Sequence, residues 1–387
     1  MSATSISQRL TVVDALRGFA ILSIMLLHNI EHFDLYYIPE YLPEWLKAID
    51  AVIWDTVFFL FAGKSYAIFA LLFGLTFYIQ YTNQQAGGND FSSRFLWRLL
   101  LLLCFGIINS IFFEGDILAL YAITGVVIIP FRKLSNRVVL TAAVILMLQP
   151  LEWIRLFYIL ANPDFTEPAS TANKYFGMIY EPLAEGNFWD AARSNLTNGR
   201  LAVFSWSLEN GRFFQTASLF LMGFLLGRNQ RFTSSPQNKK FWQKALVTAI
   251  IGFIPLFLLG KALPEMECRE AIIARFQTAI SSWSNFAFMG VLVSGFVLLY
   301  EHTAARAFLH KLQPLGRMSL SNYIMQSIAG SFIYYGFGLG LYQYTGATFS
   351  LLIGLTLGVL QSLFSIWWFK KHKRGPLEEM WHRLSWI

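Results

Sequence analysis

The chain has 387 residues, of which 55% are apolar and only 14% charged; a water-soluble domain of this size could not cover so much apolar side chain with so little polar surface. The composition specifies the lipid bilayer as solvent. The formal net charge of +7 would point to nucleic acid in a soluble protein, but here the cations lie in short connections between apolar runs, so no nucleic-acid partner is expected.

The first apolar run, 13–31, opens on Asp14 and Arg17 and is followed by no small-residue cleavage pattern, so it reads as a retained helix. Crossing a hydrocarbon layer of about 30 Å takes about 20 residues. Runs of that order follow at 64–82, 97–113, 117–131, 138–160, 212–228, 242–260, 280–300, 315–337 and 348–369. The fourth is short, which makes the count ten, with nine as the alternative. Residues 51–63 are also apolar, but they contain Asp55 and precede Lys64. One straight helix over 51–82 would overshoot the bilayer, which predicts an interfacial or re-entrant piece there.

The longest polar segment, 161–211, carries Pro163, Pro168 and Pro182 among scattered aromatics and predicts an extracytoplasmic cap. The tail 370–387 alternates cations with Trp381, Leu384 and Trp386 and predicts an amphipathic segment along the cytoplasmic interface. Gly223 with Gly227 and Gly354 with Gly358 fit close helix packing. The expected fold class is all-α: a polytopic integral membrane helix bundle forming one membrane domain over 1–387. Of the 30 Lys and Arg, 19 fall in the loops on the side of the N-terminus and 8 in the opposite set, which places both termini in the cytoplasm.

The ionisable groups of the first run share a stripe. At about 100° per residue, Arg17 and His28 are about 20° out of phase, and Asp14 and His32 lie within about 40° of them. Asp14 and Arg17 read equally well as an i, i+3 pair at the cytoplasmic interface. His28 lies deeper, where ionisable groups line a site or a pathway. The turn FEGDILALYAITG carries Glu114 and Asp116. A functional Asp116 would fold back toward His28, fix its tautomer and raise its basicity. Glu152 and Arg155, three apart in the fifth run, read as mutual neutralisation.

Other signals are weaker. Gly63, Lys64 and Ser65 resemble the end of a phosphate-binding loop, but Phe58 stands where that motif needs glycine. Asn195, Leu196 and Thr197 form a sequon of consequence only in a eukaryotic secretory pathway. His302, His310, His372 and His382 lack acid or Cys partners at ligand spacing, so no metal is expected, and Cys104 and Cys268 differ in depth too much to pair.

The stretches RLTVVDALRGFAIL, GKSYAIFALLFGLTF, EGDILALYAITG, PLGRMSLSNYIMQS and RGPLEEMWHRLSW, in that order from Arg9 to Trp386, resemble the YeiB-like membrane proteins, which carry a C-terminal domain of unknown function. That family is distantly similar to the integral-membrane acyltransferases. The resemblance implies a bacterial inner-membrane protein that moves an acyl group from cytoplasmic acyl-CoA, as co-substrate, to an extracytoplasmic acceptor such as an envelope glycan or lipid. In O-acetylating relatives the opening motif ends in a functional histidine, and His28 stands at that place.

On this reading His28 is the general base and Asp116 its orienting partner. Arg17, with Asp14 and Arg9 beside it, holds a coenzyme phosphate, and Asn322 and Gln326 offer donors to the developing oxyanion. The rival reading is a transporter or exporter of an amphipathic molecule, with the same stripe lining its path; a non-catalytic scaffold is the third.

Overall fold

The computed structural model describes residues 10–87 and 91–385, and among these it contains helices and connections but no strand. Helix α1 (Thr11–Ile30) is followed by α2 (Glu44–Phe61) and α3 (Ser65–Ala86), then α4 (Ser92–Asn109). Two short pieces, α5 (Leu118–Gly125) and α6 (Ile128–Phe131), lead to α7 (Asn136–Met147) and α8 (Pro150–Ala161). The polar segment that follows folds into α9 (Thr171–Ala184), α10 (Phe188–Ser194) and α11 (Arg200–Glu209). Then come α12 (Arg212–Arg228), α13 (Pro236–Ala262) and α14 (Glu270–Tyr300). Two short helices, α15 (Thr303–Leu309) and α16 (Gln313–Arg317), precede α17 (Ser319–Tyr334), α18 (Ala347–Phe369) and α19 (Pro376–Leu384).

Local chemistry sets the ends. Ser135 and Ser170 accept a backbone N–H in the first turns of α7 and α9, and Asn187 and Asp190 form a capping box on α10. Pro236 and Pro376 open α13 and α19, where a missing N–H costs nothing.

The fold is an all-α membrane helix bundle. Among the described residues six helical units are long and apolar enough to cross a bilayer: α1, the 43-residue stretch Glu44–Ala86, α4, Pro236–Glu265, α14 and α18. The pair α7 and α8, bent by 45°, makes a seventh if taken as one span. The ten runs of the sequence are therefore not all matched by a full-length helix. Of the others, α12 has 17 residues and α17 has 16, and the fourth run is divided between α5 and α6. Residues 51–61 lie in α2, which begins earlier, at Glu44, and meets α3 across a break at Ala62–Lys64 where Gly63 has φ +76°.

Small residues let backbones touch. A Cβ at Gly74 would stand 1.9 Å from the carbonyl oxygen of Phe220, and one at Gly223 would stand 1.8 Å from that of Leu71, so α3 and α12 meet with nothing between them. Gly18 and Gly316 do the same for α1 and α16, the second facing the Asp14 carbonyl at 1.8 Å. Gly354 and Gly358 receive Asn29, Leu22 and Met25 of α1. By contrast α13 packs almost wholly on α14 and leaves Val247, Ile251, Ile254 and Leu258 exposed, the pattern of a lipid-facing helix.

Candidate functional site

The stripe on α1 runs along two cavities. Arg17 and Ile21 line an inner cavity of about 240 Å³, and Leu27 and His28 line an outer one of about 700 Å³. Ile24, Ile117 and Tyr323 line both and so form the partition between them. A further hollow of about 480 Å³ shares Gln80, Arg98, Glu378 and Trp381 with the inner cavity and extends to Arg94 and Arg374.

The inner cavity is cationic. Arg17 donates to Asp14 Oδ1 (3.2 Å) and Thr76 Oγ1 (3.1 Å). Arg98 lies over the Trp381 ring at 4.4 Å and donates to Ser385 Oγ; Arg317 lies over Phe369 at 3.9 Å. The carboxylate on this wall, Glu378, is already committed to the start of α17, accepting from Leu320 N (2.7 Å), Ser321 N (3.1 Å) and Ser321 Oγ (2.6 Å). Burial raises its pKa, against those hydrogen bonds. Three guanidinium groups therefore line this cavity, one of them bonded to Asp14, beside a carboxyl engaged with the α17 backbone, a setting suited to phosphate oxygens. Helix α19 closes this wall: Trp381 Nε1 donates to Arg98 O and Trp97 Nε1 to Leu384 O.

The outer cavity carries the acids. His28 Nδ1 lies 3.2 Å from Glu31 Oε2; a carboxylate there holds the ring proton at Nδ1 and leaves Nε2 as the basic nitrogen. Tyr36 donates to Glu31 Oε1 (3.2 Å) and Asp34 Oδ1 (3.5 Å). Asp34 and Tyr36 are brought to this pair by an unusual turn: His32, Phe33 and Asp34 have φ of +50°, +53° and +68°. Left-handed backbone costs a non-glycine residue about 1–2 kcal/mol, so the surroundings must enforce it. They do so through His32, whose Nε2 meets Ser350 Oγ (2.9 Å) and Thr345 Oγ1 (3.2 Å), and through the Phe33 carbonyl, which accepts from Tyr335 (3.0 Å). Burial lowers the His32 pKa to about 4, so the ring is neutral at pH 7.

A layer of hydrogen-bonded side chains links the start of α3 to the α7–α8 break beside this cavity. Gly63, at the α2–α3 break, lines it; Gln149, at the α7–α8 break, has φ +58° and donates to Gly211 O (3.1 Å) and Ser282 Oγ (2.8 Å). Gln215 donates to Ser282 O (3.1 Å), and its Oε1 accepts from Tyr66 and from Arg212 (3.0 Å). Arg212 also donates to the Tyr66 hydroxyl at 2.5 Å and lies against Trp206 at 4.9 Å. Freed backbone at membrane depth survives only where protein or a cavity satisfies it, and beside Gln149 the Met147 and Leu148 carbonyls accept from Trp283 Nε1 (2.7 Å) and Trp153 Nε1 (2.7 Å).

The structure brings Arg17 and His28 to the two sides of one partition but distributes the other expected site residues differently. Asp116 lines the outer cavity, yet it accepts from Asn109 Nδ2 (3.1 Å) and Ala119 N (2.9 Å), while the partner at His28 Nδ1 is Glu31. Burial raises the Asp116 pKa to about 7. Asn322 and Gln326 line neither cavity. They bridge helices, Asn322 to Leu315 O and Ser365, Gln326 to Ile21 O and Gln361, as amides in spans commonly do.

Asp14 lines neither of these two cavities and bonds Arg17. His32 leaves the stripe because α1 ends at Ile30. Arg9 and Trp386 lie outside the described residues. Glu152 is bonded to Arg275 (2.9 Å) as well as Arg155 (3.4 Å), an ion cluster away from both cavities. Glu31 could have been found, since it stands three residues from His28; Arg98, Arg317 and Arg212 come from distant elements and leave no local signal.

Residues 226–387 match the family described as Protein of unknown function (DUF418). The chain is 29% identical to the uncharacterized protein YxaH of Bacillus subtilis, over all of this chain and 96% of the relative. It is 26% identical to an uncharacterized 39.9 kDa protein encoded in the amylase 3' region of Bacillus acidopullulyticus, with the same coverage, and 25% identical to the uncharacterized protein YeiB of Escherichia coli, over 98% of this chain and 96% of that one. No solved structure matches.

Proposed function

We propose, from the premise that this chain belongs to the YeiB-like family, that it is a membrane acyltransferase carrying an acyl group from cytoplasmic acyl-CoA to an acceptor on the far side of the bilayer. The supporting observation is the pair of cavities separated by Ile24, Ile117 and Tyr323, with arginines in one and the His28–Glu31 pair in the other. Arg17 and His28 lie eleven residues apart on α1, about 16 Å at 1.5 Å per residue, a distance an extended pantetheine arm covers.

In this mechanism Arg17, Arg98 and Arg317 hold coenzyme phosphates. His28 Nε2 takes the proton of an acceptor hydroxyl or amine as its oxygen or nitrogen attacks the thioester carbon. The carbon–sulfur bond breaks, the thiolate receives the proton, and coenzyme thiol leaves with the acylated acceptor as second product. Glu31 keeps the ring oriented and stabilises its charged form.

The membrane in question is the bacterial inner membrane, crossed ten times with both termini in the cytoplasm, a topology supported by the 19 to 8 division of cations. Reporter fusions after Lys133, Lys240 and Lys311 should then read cytoplasmic, and fusions near Lys174 and Glu267 external. The activity is tested with purified protein in liposomes given radiolabelled acetyl-CoA and an isolated envelope fraction. Label transferred to that fraction supports the reading; release of no coenzyme thiol with any envelope fraction or acyl chain contradicts it.

Transport of an amphipathic molecule is the second reading, favoured by the helix breaks at Gly63 and Gln149, since broken helices beside a cavity are a feature of transporters. It expects uptake of solute into the same liposomes without acyl transfer.

A further inference from the structure

Arg212 stands out among the cations near the outer cavity. It lines that cavity, and its hydrogen bonds go to the neutral oxygens of Tyr66 and Gln215. Its Nε is shut away from solvent without an acceptor, and among the described residues no carboxylate forms an ion pair with it. Lys64, beside the same break, shares this state: it is buried, lies 5.9 and 5.7 Å from the Phe59 and Phe288 rings, and has no acid partner among the described residues.

Arg275, the buried arginine among the described residues, is by contrast neutralised by Glu152 and Glu167. A guanidinium kept at a cavity wall without an anion is costly unless something else supplies one. The rest of the lining near it is apolar and aromatic, with Phe58, Phe61, Phe176 and Trp206. The acids of the cavity, Glu31, Asp34 and Asp116, come from the turns after α1 and α4, so none of them shares an element with Arg212.

We infer that the outer cavity binds an anionic amphiphile, an apolar chain ending in a phosphate or carboxylate, with Arg212 as the group that receives the head. Tyr66 and Gln215 engage Nη1 and Trp206 lies against the guanidinium, which leaves Nη2 to make a charge-assisted contact with such a head. That the bound molecule is the acyl acceptor rests on the acyl-transfer reading; that it binds does not, and the test reads binding alone.

The test uses the full chain in neutral detergent and compares equilibrium binding of radiolabelled dodecyl phosphate, dodecanoate, dodecanol and inorganic phosphate. Dodecyl phosphate or dodecanoate should bind at least tenfold more tightly than dodecanol, because a charge-assisted bond to arginine is worth roughly ten- to a hundredfold. Inorganic phosphate should bind far more weakly than dodecyl phosphate, which separates a lipid head from the free ion. Arg212→Gln should erase the preference for the charged head, and Arg212→Lys should keep part of it.

Should Arg212→Gln fail to fold, Gly177→Trp decides. Gly177 lines the cavity and a Cβ there meets nothing within 4 Å, so the indole fills the space without disturbing α9 and should abolish binding. Equal affinity for dodecanol and dodecyl phosphate in the parent protein overturns the proposal. So does a preference that survives folded Arg212→Gln, or binding to Gly177→Trp that equals the parent's.

Discussion

The inner and outer cavities differ in how their charge is made, although one helix face runs along both. The inner one gathers arginines from α1, α4 and the end of α16, each steadied by an aromatic ring or a hydroxyl, and its carboxyl is tied to the α17 backbone. The outer one sets His28 beside Glu31 by helical i, i+3 spacing, and three residues in left-handed backbone then turn the chain so that Asp34 and Tyr36 line the same cavity. Binding charge can come from any element that reaches the wall, whereas a base and its orienting acid need a fixed mutual geometry.

That contrast can be broken from either side. The largest effect is expected at the outer side: His28→Ala should lower turnover by about 10²- to 10⁴-fold while acyl-CoA binding stays within a few-fold, because a general base acts mainly in the transition state. Single-turnover acyl transfer alongside equilibrium acyl-CoA binding measures both. A smaller, opposite pattern is expected at the inner side. Arg17→Ala should weaken acyl-CoA binding about ten- to a hundredfold, since its charge-assisted bond is already made in the ground state. Asp14→Asn combined with Arg17→Ala controls for a carboxylate left behind near the membrane.

Gly316→Ala sharpens the division without touching a charge. Its Cβ would meet the Asp14 carbonyl at 1.8 Å, so α16 must move off α1, at a cost of about 1–3 kcal/mol in stability. Arg317 ends that helix, so coenzyme binding should weaken while dodecyl phosphate binding to the outer cavity is kept. Thermal unfolding and the two binding assays test this together. Gly252→Ala, where a Cβ meets nothing within 4 Å, should leave all three unchanged.

The smallest effect concerns pH. Burial raises the Asp116 pKa to about 7, above its unfolded value, so the stabilisation it gives is complete at low pH and is lost as pH rises from about 4 through 7. Between pH 5 and 8 the parent should therefore lose thermal stability relative to Asp116→Asn. Parallel melting curves for the two proteins across that range would count against the burial of this carboxyl. His32, lowered to about 4, acts with the opposite sign as pH falls below about 6.5, and it is present in both proteins.

The sequence carried the membrane class, the long apolar helices and the Arg17–His28 stripe, because each is a local pattern of one helix. What it could not carry was depth and partnership. The i, i+3 acid at Glu31 was within reach of the same helical arithmetic but was passed over for Asp116, which in the folded chain is claimed by Asn109 and Ala119. Asn322 and Gln326 looked like donors because amides in a span are rare, yet their partners on Leu315, Ser365, Ile21 and Gln361 exist only after four segments have packed. The ten apolar runs and the six full-length helices among the described residues, seven with the bent α7–α8 pair, differ in part because apolar composition runs on through backbone interrupted at Val126–Val127. Hydropathy does not register a break.

The central claim, that a coenzyme held by the inner arginines places its acyl group at the partition facing His28, is tested most directly by photo-crosslinking. An acyl-CoA with a photoactivatable acyl chain, added to the purified protein and mapped by peptide mass spectrometry, should label residues around Ile24, Ile117 and Tyr323. Labelling should fall with Arg17→Ala and persist with His28→Ala. Labels confined to loops away from both cavities, or labelling of the partition that Arg17→Ala leaves intact, would contradict the account.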